Sequence, residues 1–209
     1  MQRSFLILAI AFIVLVVGAL FYAARLPVQA PSQPADTYDP NAPVTPAPDA
    51  AEGPVTVAFE LADMEGNVRD FAEWSGKHRI LNFWATWCAP CRREIPLLKA
   101  FQDEYGATGI QVIGIAVDFL EPVIAYAEEA EFNYPILVGE QDAMAVAGSS
   151  GVDFIGLPFT MIVAADGELI GAHMGEIHKE QLEQIAELLA RLDRGEIDKE
   201  TIRASIDAY

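Results

Sequence analysis

An unbroken apolar run near the start most restricts what this 209-residue chain can become. No side chain from Phe5 to Ala24 carries a charge (FLILAIAFIVLVVGALFYAA). As a helix rising ~1.5 Å per residue, this run spans about 30 Å, the hydrocarbon thickness of a bilayer. A core helix of a soluble domain would show a polar face, and this segment has none. A cleavable signal peptide has a shorter apolar core and a small-residue cleavage site. Val28-Gln29-Ala30 resembles such a site, but Pro31 follows it directly. Residues 5–25 are therefore expected to form an uncleaved transmembrane anchor behind a short cytoplasmic segment, 1–4. Arg3 and the α-amino group precede the run and Arg25 follows it, a small excess that favours the N-terminus inside. That orientation places the rest of the chain outside a bacterial inner membrane, in a periplasmic or other extracytoplasmic space.

The next block, residues 26–54, holds eight of the thirteen prolines. Proline cannot donate to a ladder, and the Ala, Ser, Thr, Asp and Gln between them offer little to bury. This block is expected to be a tether, reaching on the order of 85 Å if fully extended at ~3.1 Å per residue. Residues 55–193 then read as one globular domain, with 194–209 as a C-terminal extension of irregular apolar spacing (Ile197, Ile202, Ile206). The net charge of −18 lies almost wholly beyond the apolar run. It disfavours binding to nucleic acid and to anionic lipid headgroups, and favours basic clients.

Within the domain, Val55–Phe59 alternates as a short strand and Asp63–Asn67 carries turn chemistry. Residues 79–85 read as a buried strand, followed by a helix from Cys88 to about Tyr105 that Gly106 stops. IQVIGIAV, residues 110–117, is an apolar run typical of a parallel strand covered on both faces. A helix over 122–131, a strand over 134–138 and a short helix near 142–147 are expected next. Residues 159–165 and 169–173 flank Asp166-Gly167 and read as a β-hairpin, and apolar spacing predicts a closing helix over 179–192. This order describes an α/β fold with a mixed central sheet flanked by helices.

The chemistry concentrates at Trp87-Cys88-Ala89-Pro90-Cys91, which holds both cysteines of the chain. Two cysteines three apart at a strand-to-helix junction can close a disulfide with little backbone movement. Cys88 at the helix N-terminus would have its thiolate stabilised by unpaired N–H groups and the helix dipole, making it the attacking thiol. Cys91, one turn deeper, would resolve the mixed disulfide, and Pro90 suits the first helical turn. A zinc site would need a second ligand pair, and no second pair exists. A purely structural disulfide across so short a loop would stabilise little.

Residues 80–98, ILNFWATWCAPCRREIPLL, resemble the active-site segment of the TlpA/ResA/CcmG group of membrane-anchored thiol–disulfide oxidoreductases. The similarity covers roughly 55–193. It implies a thioredoxin-like fold with an N-terminal strand extension and a central insertion. It also implies reduction of disulfides in exported proteins, commonly in cytochrome c or oxidase maturation, with electrons from a membrane thiol carrier of the CcdA or DsbD type. No cofactor or metal beyond the Cys88–Cys91 pair is implied, and a monomer is expected. The Ala89-Pro90 dipeptide does not fix the substrate.

By the same resemblance, Pro158 is a cis-proline facing the cysteines, leaving the Leu157 backbone free to pair with substrate. Glu94, three residues after Cys91, matches the buried glutamate of the group and would exchange a proton with the inner thiol. Asn82 stands where thioredoxins themselves carry a buried aspartate, and an amide cannot relay a proton in that way. Trp84 is expected in the core and Trp87 at the site rim, with Arg92 and Arg93 on a solvated helix face. Two other activities compete. A thiol peroxidase of the peroxiredoxin type is suggested by Thr86 before Cys88, but the expected upstream proline is absent, with Phe at 83 and Ala at 85. Copper delivery would use a wider CxxxC spacing and a distant histidine, for which His173 is the candidate.

Overall fold

HRILNFW, residues 78–84, is buried along its whole length and forms the spine of the domain. The computed structural model describes residues 54–151 and 154–206, within the unit Ala47–Tyr209. The expected anchor and, but for Pro54, the tether lie outside the described residues. Among those residues no helix is long and apolar enough to cross a membrane. In chain order the strands are β1 (Glu60–Asp63), β2 (Val68–Asp70), β3 (His78–Trp84), β4 (Ile110–Val117), β5 (Ile136–Gly139), β6 (Phe159–Val163) and β7 (Leu169–Met174). The α-helices are α1 (Ala89–Tyr105), α2 (Leu120–Ala130), α3 (Gln141–Gly148), α4 (Lys179–Asp193) and α5 (Lys199–Ile206). One sheet runs β2-β1-β5-β4-β3-β6-β7. Its β3/β4 and β4/β5 pairs are parallel, and the other pairs are antiparallel. The hairpin β1–β2 precedes β3 in the chain, while β5 and α3 lie between α2 and β6.

Strand alternation divides β3 between two cores. Ile80 and Trp84 pack with Ile95 and Leu98 of α1 and Leu182, Ile185 and Leu189 of α4. Leu81 and Phe83 point the other way, toward Phe71, Trp74 and Val146. Asn82 shares its face with Ile80 and Trp84, so its amide is directed at α1. Gly114, opposite Asn82 on β4, lacks a side chain where one would collide with Ile136 and crowd the Trp84 indole. The buried Arg79 guanidinium donates to the carbonyls of Trp74 (3.1 Å) and Ala164 (2.8 Å) and lies 4.7 Å over the Phe71 ring. It fastens the segment after β2 to the β6–β7 turn.

Two expectations are corrected. Val55–Phe59 is not a strand: it makes a single bridge, Thr56 to Glu168. Its alternation is satisfied by burying Val57. The bridge does not extend because its partner runs straight into the Asp166-Gly167 turn, and the Phe59 carbonyl instead accepts from the Phe71 N–H (3.1 Å), in line with the β1–β2 register. The first strand is instead Glu60–Asp63. The domain also does not end at 193. Helix α5 packs against β7 through Ile202 and Ile206, both at most 2% exposed, and a side chain at Gly171 of β7 would collide with Ile206. Lys199 pairs with Asp166 and Glu168 at 2.5 Å, and Arg203 with Glu168, pinning α5 to the β6–β7 turn. Arg92 and Arg93 lie on the exposed helix face expected of them; there Arg93 pairs with Glu176 (2.5 Å) and Arg92 stacks 5.0 Å over the Tyr126 ring.

Candidate active site

β3 delivers the chain to the site, and a tight turn hands it to α1. The Cys88 N–H donates to the Ala85 carbonyl (3.2 Å), closing the turn Ala85–Cys88. Cys88 is the N-cap of α1, in extended geometry, with Pro90 in the first helical turn. Pro90 gives up only an N–H that has no partner at a helix start. Cys88 and Cys91 are joined by a disulfide with Cα atoms 5.3 Å apart. The Cys91 N–H donates to Cys88 Sγ (3.3 Å), so the sulfur sits where orphan amide donors stabilise negative charge. Cys88 is 5% exposed and Cys91 fully buried. Ala89 and Trp87 project into solvent, Trp87 at 71% exposure.

The β3–β6 register pairs Phe83 with Phe159. One step further, Pro158 falls opposite Trp84, four residues before Cys88. Pro158 is buried, the Leu157–Pro158 bond is cis, and the Pro158 carbonyl accepts from Gly175 N–H (2.9 Å). Leu157 is half-buried, and its own N–H and C=O make no backbone hydrogen bond among the described residues.

Glu94, one helical turn beyond Cys91, has no exposure at all. Asn82 Nδ2 donates to its Oε1 (2.7 Å), and the Ile177 N–H donates to Oε2 (2.7 Å). Burial pushes its pKa up to about 7, against the lowering effect of those two bonds, with the Glu176 charge adding to the rise. A carboxyl at that value exchanges protons near neutrality. Asn82 also donates to Thr160 Oγ1 (3.2 Å) on β6. The loop before α4 is therefore held to α1 twice, through Ile177 on the inside and the Glu176–Arg93 pair on the outside.

Two contributors, Thr160 and Asp118, are not apparent from residue patterns alone. Asp118, at the C-terminal end of β4, accepts from the Thr86 N–H (2.9 Å) and the Thr86 hydroxyl (2.6 Å). The available signal was an acidic residue directly after an apolar strand, at the sheet edge where α/β folds build their sites.

The site thus combines a cysteine pair at a helix start with a buried carboxyl one turn on and a cis-proline on β6's entry. Residues 44–189 match the Redoxin family model. The chain belongs to the redoxin family. Within it, this redoxin is 31% identical over 146 residues to "Thiol-disulfide oxidoreductase ResA" of Halalkalibacterium halodurans, covering 67% of this chain and 78% of that protein. The protein of the same name from Geobacillus kaustophilus is 31% identical over 137 residues, covering 64% and 75%. Among solved structures, a thiol:disulfide interchange protein of the thioredoxin family from Chlorobium tepidum superposes with a TM-score of 0.60 at 28% identity. That match covers 67% of this redoxin and 99% of the other chain. The redoxin thus has a thioredoxin-like fold, belongs to the TlpA/ResA/CcmG-like group, and is a thiol–disulfide oxidoreductase.

Proposed function

We propose that this redoxin is a membrane-tethered reductase of disulfides in exported proteins, with Cys88 as the attacking thiol. The observation that carries the proposal is the position of Cys88 at the N-cap of α1, its sulfur on the Cys91 N–H. In the reduced protein the Cys88 thiolate attacks one sulfur of a substrate disulfide, and the other substrate sulfur leaves as a thiolate. Cys91, deprotonated with Glu94 as acceptor, then attacks Cys88 Sγ. The second substrate thiolate departs, and the Cys88–Cys91 disulfide remains. Two electrons pass from the dithiol to the substrate. Pro158 and the backbone groups of Leu157 seat an extended substrate segment, with Trp87, Ala89 and Pro90 as the rim.

The charge-free run Phe5–Ala24 and the proline-rich block behind it support an anchored, extracytoplasmic domain of the bacterial inner membrane. In that setting a membrane thiol carrier of the CcdA or DsbD type returns the electrons. Similarity to the ResA proteins supports clients of the cytochrome c or oxidase maturation class. The redoxin acts as a monomer, and no cofactor besides the cysteine pair takes part. Reduction of insulin by dithiothreitol tests the reading. The wild-type protein accelerates it and Cys88→Ser leaves the uncatalysed rate; a Cys88→Ser variant as active as wild type overturns it.

A further inference from the structure

We propose that Asp118 is a positioning residue for the attacking thiol, acting through Thr86; this rests on the reading of Cys88 as the nucleophile. Asp118 lies on β4's exit, not on the element that carries the cysteines, and is 8% exposed. Its Oδ2 takes both donors of Thr86, the N–H at 2.9 Å and the hydroxyl at 2.6 Å. Its Oδ1 takes the Phe119 N–H at 2.8 Å, and its own N–H is anchored on the Gly139 carbonyl of β5 (3.2 Å). Thr86 is the second residue of the turn that the Cys88 N–H closes on Ala85. One carboxylate therefore fixes both the backbone and the side-chain rotamer of the residue two before the nucleophile.

The consequence lies at the sulfur. Cys88 benefits from the helix N–H groups only if the turn sets its backbone as an N-cap, with Sγ over the Cys91 N–H (3.3 Å). Donors held in place before reaction stabilise developing charge without reorganisation. If the Thr86 clamp is removed, the turn samples other geometries and the thiolate loses that constant partnership. A direct charge effect predicts the reverse: a carboxylate near Cys88 would hold the thiolate back, and neutralising it would raise reactivity. The two differ in the sign of their effect at Asp118→Asn, which keeps an acceptor for Thr86 and loses the charge.

The test measures the rate of Cys88 alkylation by iodoacetamide against pH in the reduced, full-length protein. Peptide mass analysis identifies the modified cysteine, and melting temperature is read in parallel. Asp118→Ala is expected to slow alkylation near neutral pH about tenfold and to move its pH midpoint upward, the size of one lost charge-assisted hydrogen bond. Thr86→Val, which loses the hydroxyl but keeps shape, gives a smaller loss, and Thr86→Ser restores the rate. Asp118→Asn stays closer to wild type than Asp118→Ala, and the Thr86→Val and Asp118→Ala effects are non-additive. Folded Asp118→Ala and Thr86→Val proteins with the wild-type pH midpoint overturn the proposal. So does an Asp118→Asn variant that alkylates faster than wild type. If Cys91 is alkylated first in the wild type, the reading of Cys88 as nucleophile fails instead, whatever the variants do.

Discussion

Replacing Glu94 with glutamine is expected to flatten the pH dependence of stability in the oxidised protein. The carboxyl is fully buried, and its pKa stands at about 7 against an ordinary 4.5. Because the folded value is the higher one, folding favours the protonated form. The stabilisation is complete below the unfolded value and is lost as pH rises through the folded one. The difference is equivalent to about 3 kcal/mol, most of it disappearing between pH values of about 4.5 and 7. Glu94→Gln has no proton to lose, so its stability relative to wild type should climb by about that amount over the same window. The amide can be accommodated. Asn82 Oδ1 is buried with no partner, and turning the Asn82 amide over lets it accept from a glutamine Nε2. Urea unfolding of both oxidised proteins, repeated from about pH 4.5 to about pH 8, measures the two slopes. Parallel slopes for wild type and variant would refute the assignment of the neutral-range titration to Glu94.

Ile206→Ala should destabilise the domain by about 2–5 kcal/mol, as expected for a buried isoleucine, measured as a lower urea midpoint. An unchanged midpoint would make α5 a peripheral appendage. The acidic charge of the chain should favour basic substrates, so added salt should slow reduction of a basic disulfide peptide and leave an acidic one unslowed. Equal responses would remove electrostatic steering from the account.

The sheet core was legible because β3 and β4 are buried on both faces, β4 reading as an almost continuous apolar run and β3, after its first two residues, as one interrupted by Asn82. Periodicity failed where a short strand is mostly polar. Glu60–Asp63 has only alternate positions buried, and Asp63 is buried because its carboxylate caps the turn at Glu65 and Asn67 (3.1 and 2.8 Å). The C-terminal helix was hidden differently. Ile202 and Ile206 stand one helical turn apart on α5, but Ile197 lies before the helix begins. Reading the three together erased the period.

At the site, the cysteine pair was fully visible as a motif. A resemblance, rather than a pattern in the residues, supplied the cis bond at Pro158 and the burial of Glu94. The Asn82–Glu94 and Thr86–Asp118 contacts join residues 12 and 32 positions apart, across elements whose packing no local rule dictates. Residue types at those positions were compatible with solvent, and only the fold removes it.

The most direct test of the disulfide-exchange mechanism is trapping its covalent intermediate. Reduced Cys91→Ala protein is mixed with a disulfide-containing protein substrate, and intact and peptide masses are recorded. The account predicts a stable mixed disulfide on Cys88, absent from a protein that also carries Cys88→Ser. A Cys91→Ala protein that consumes the substrate disulfide without ever forming that adduct would contradict it.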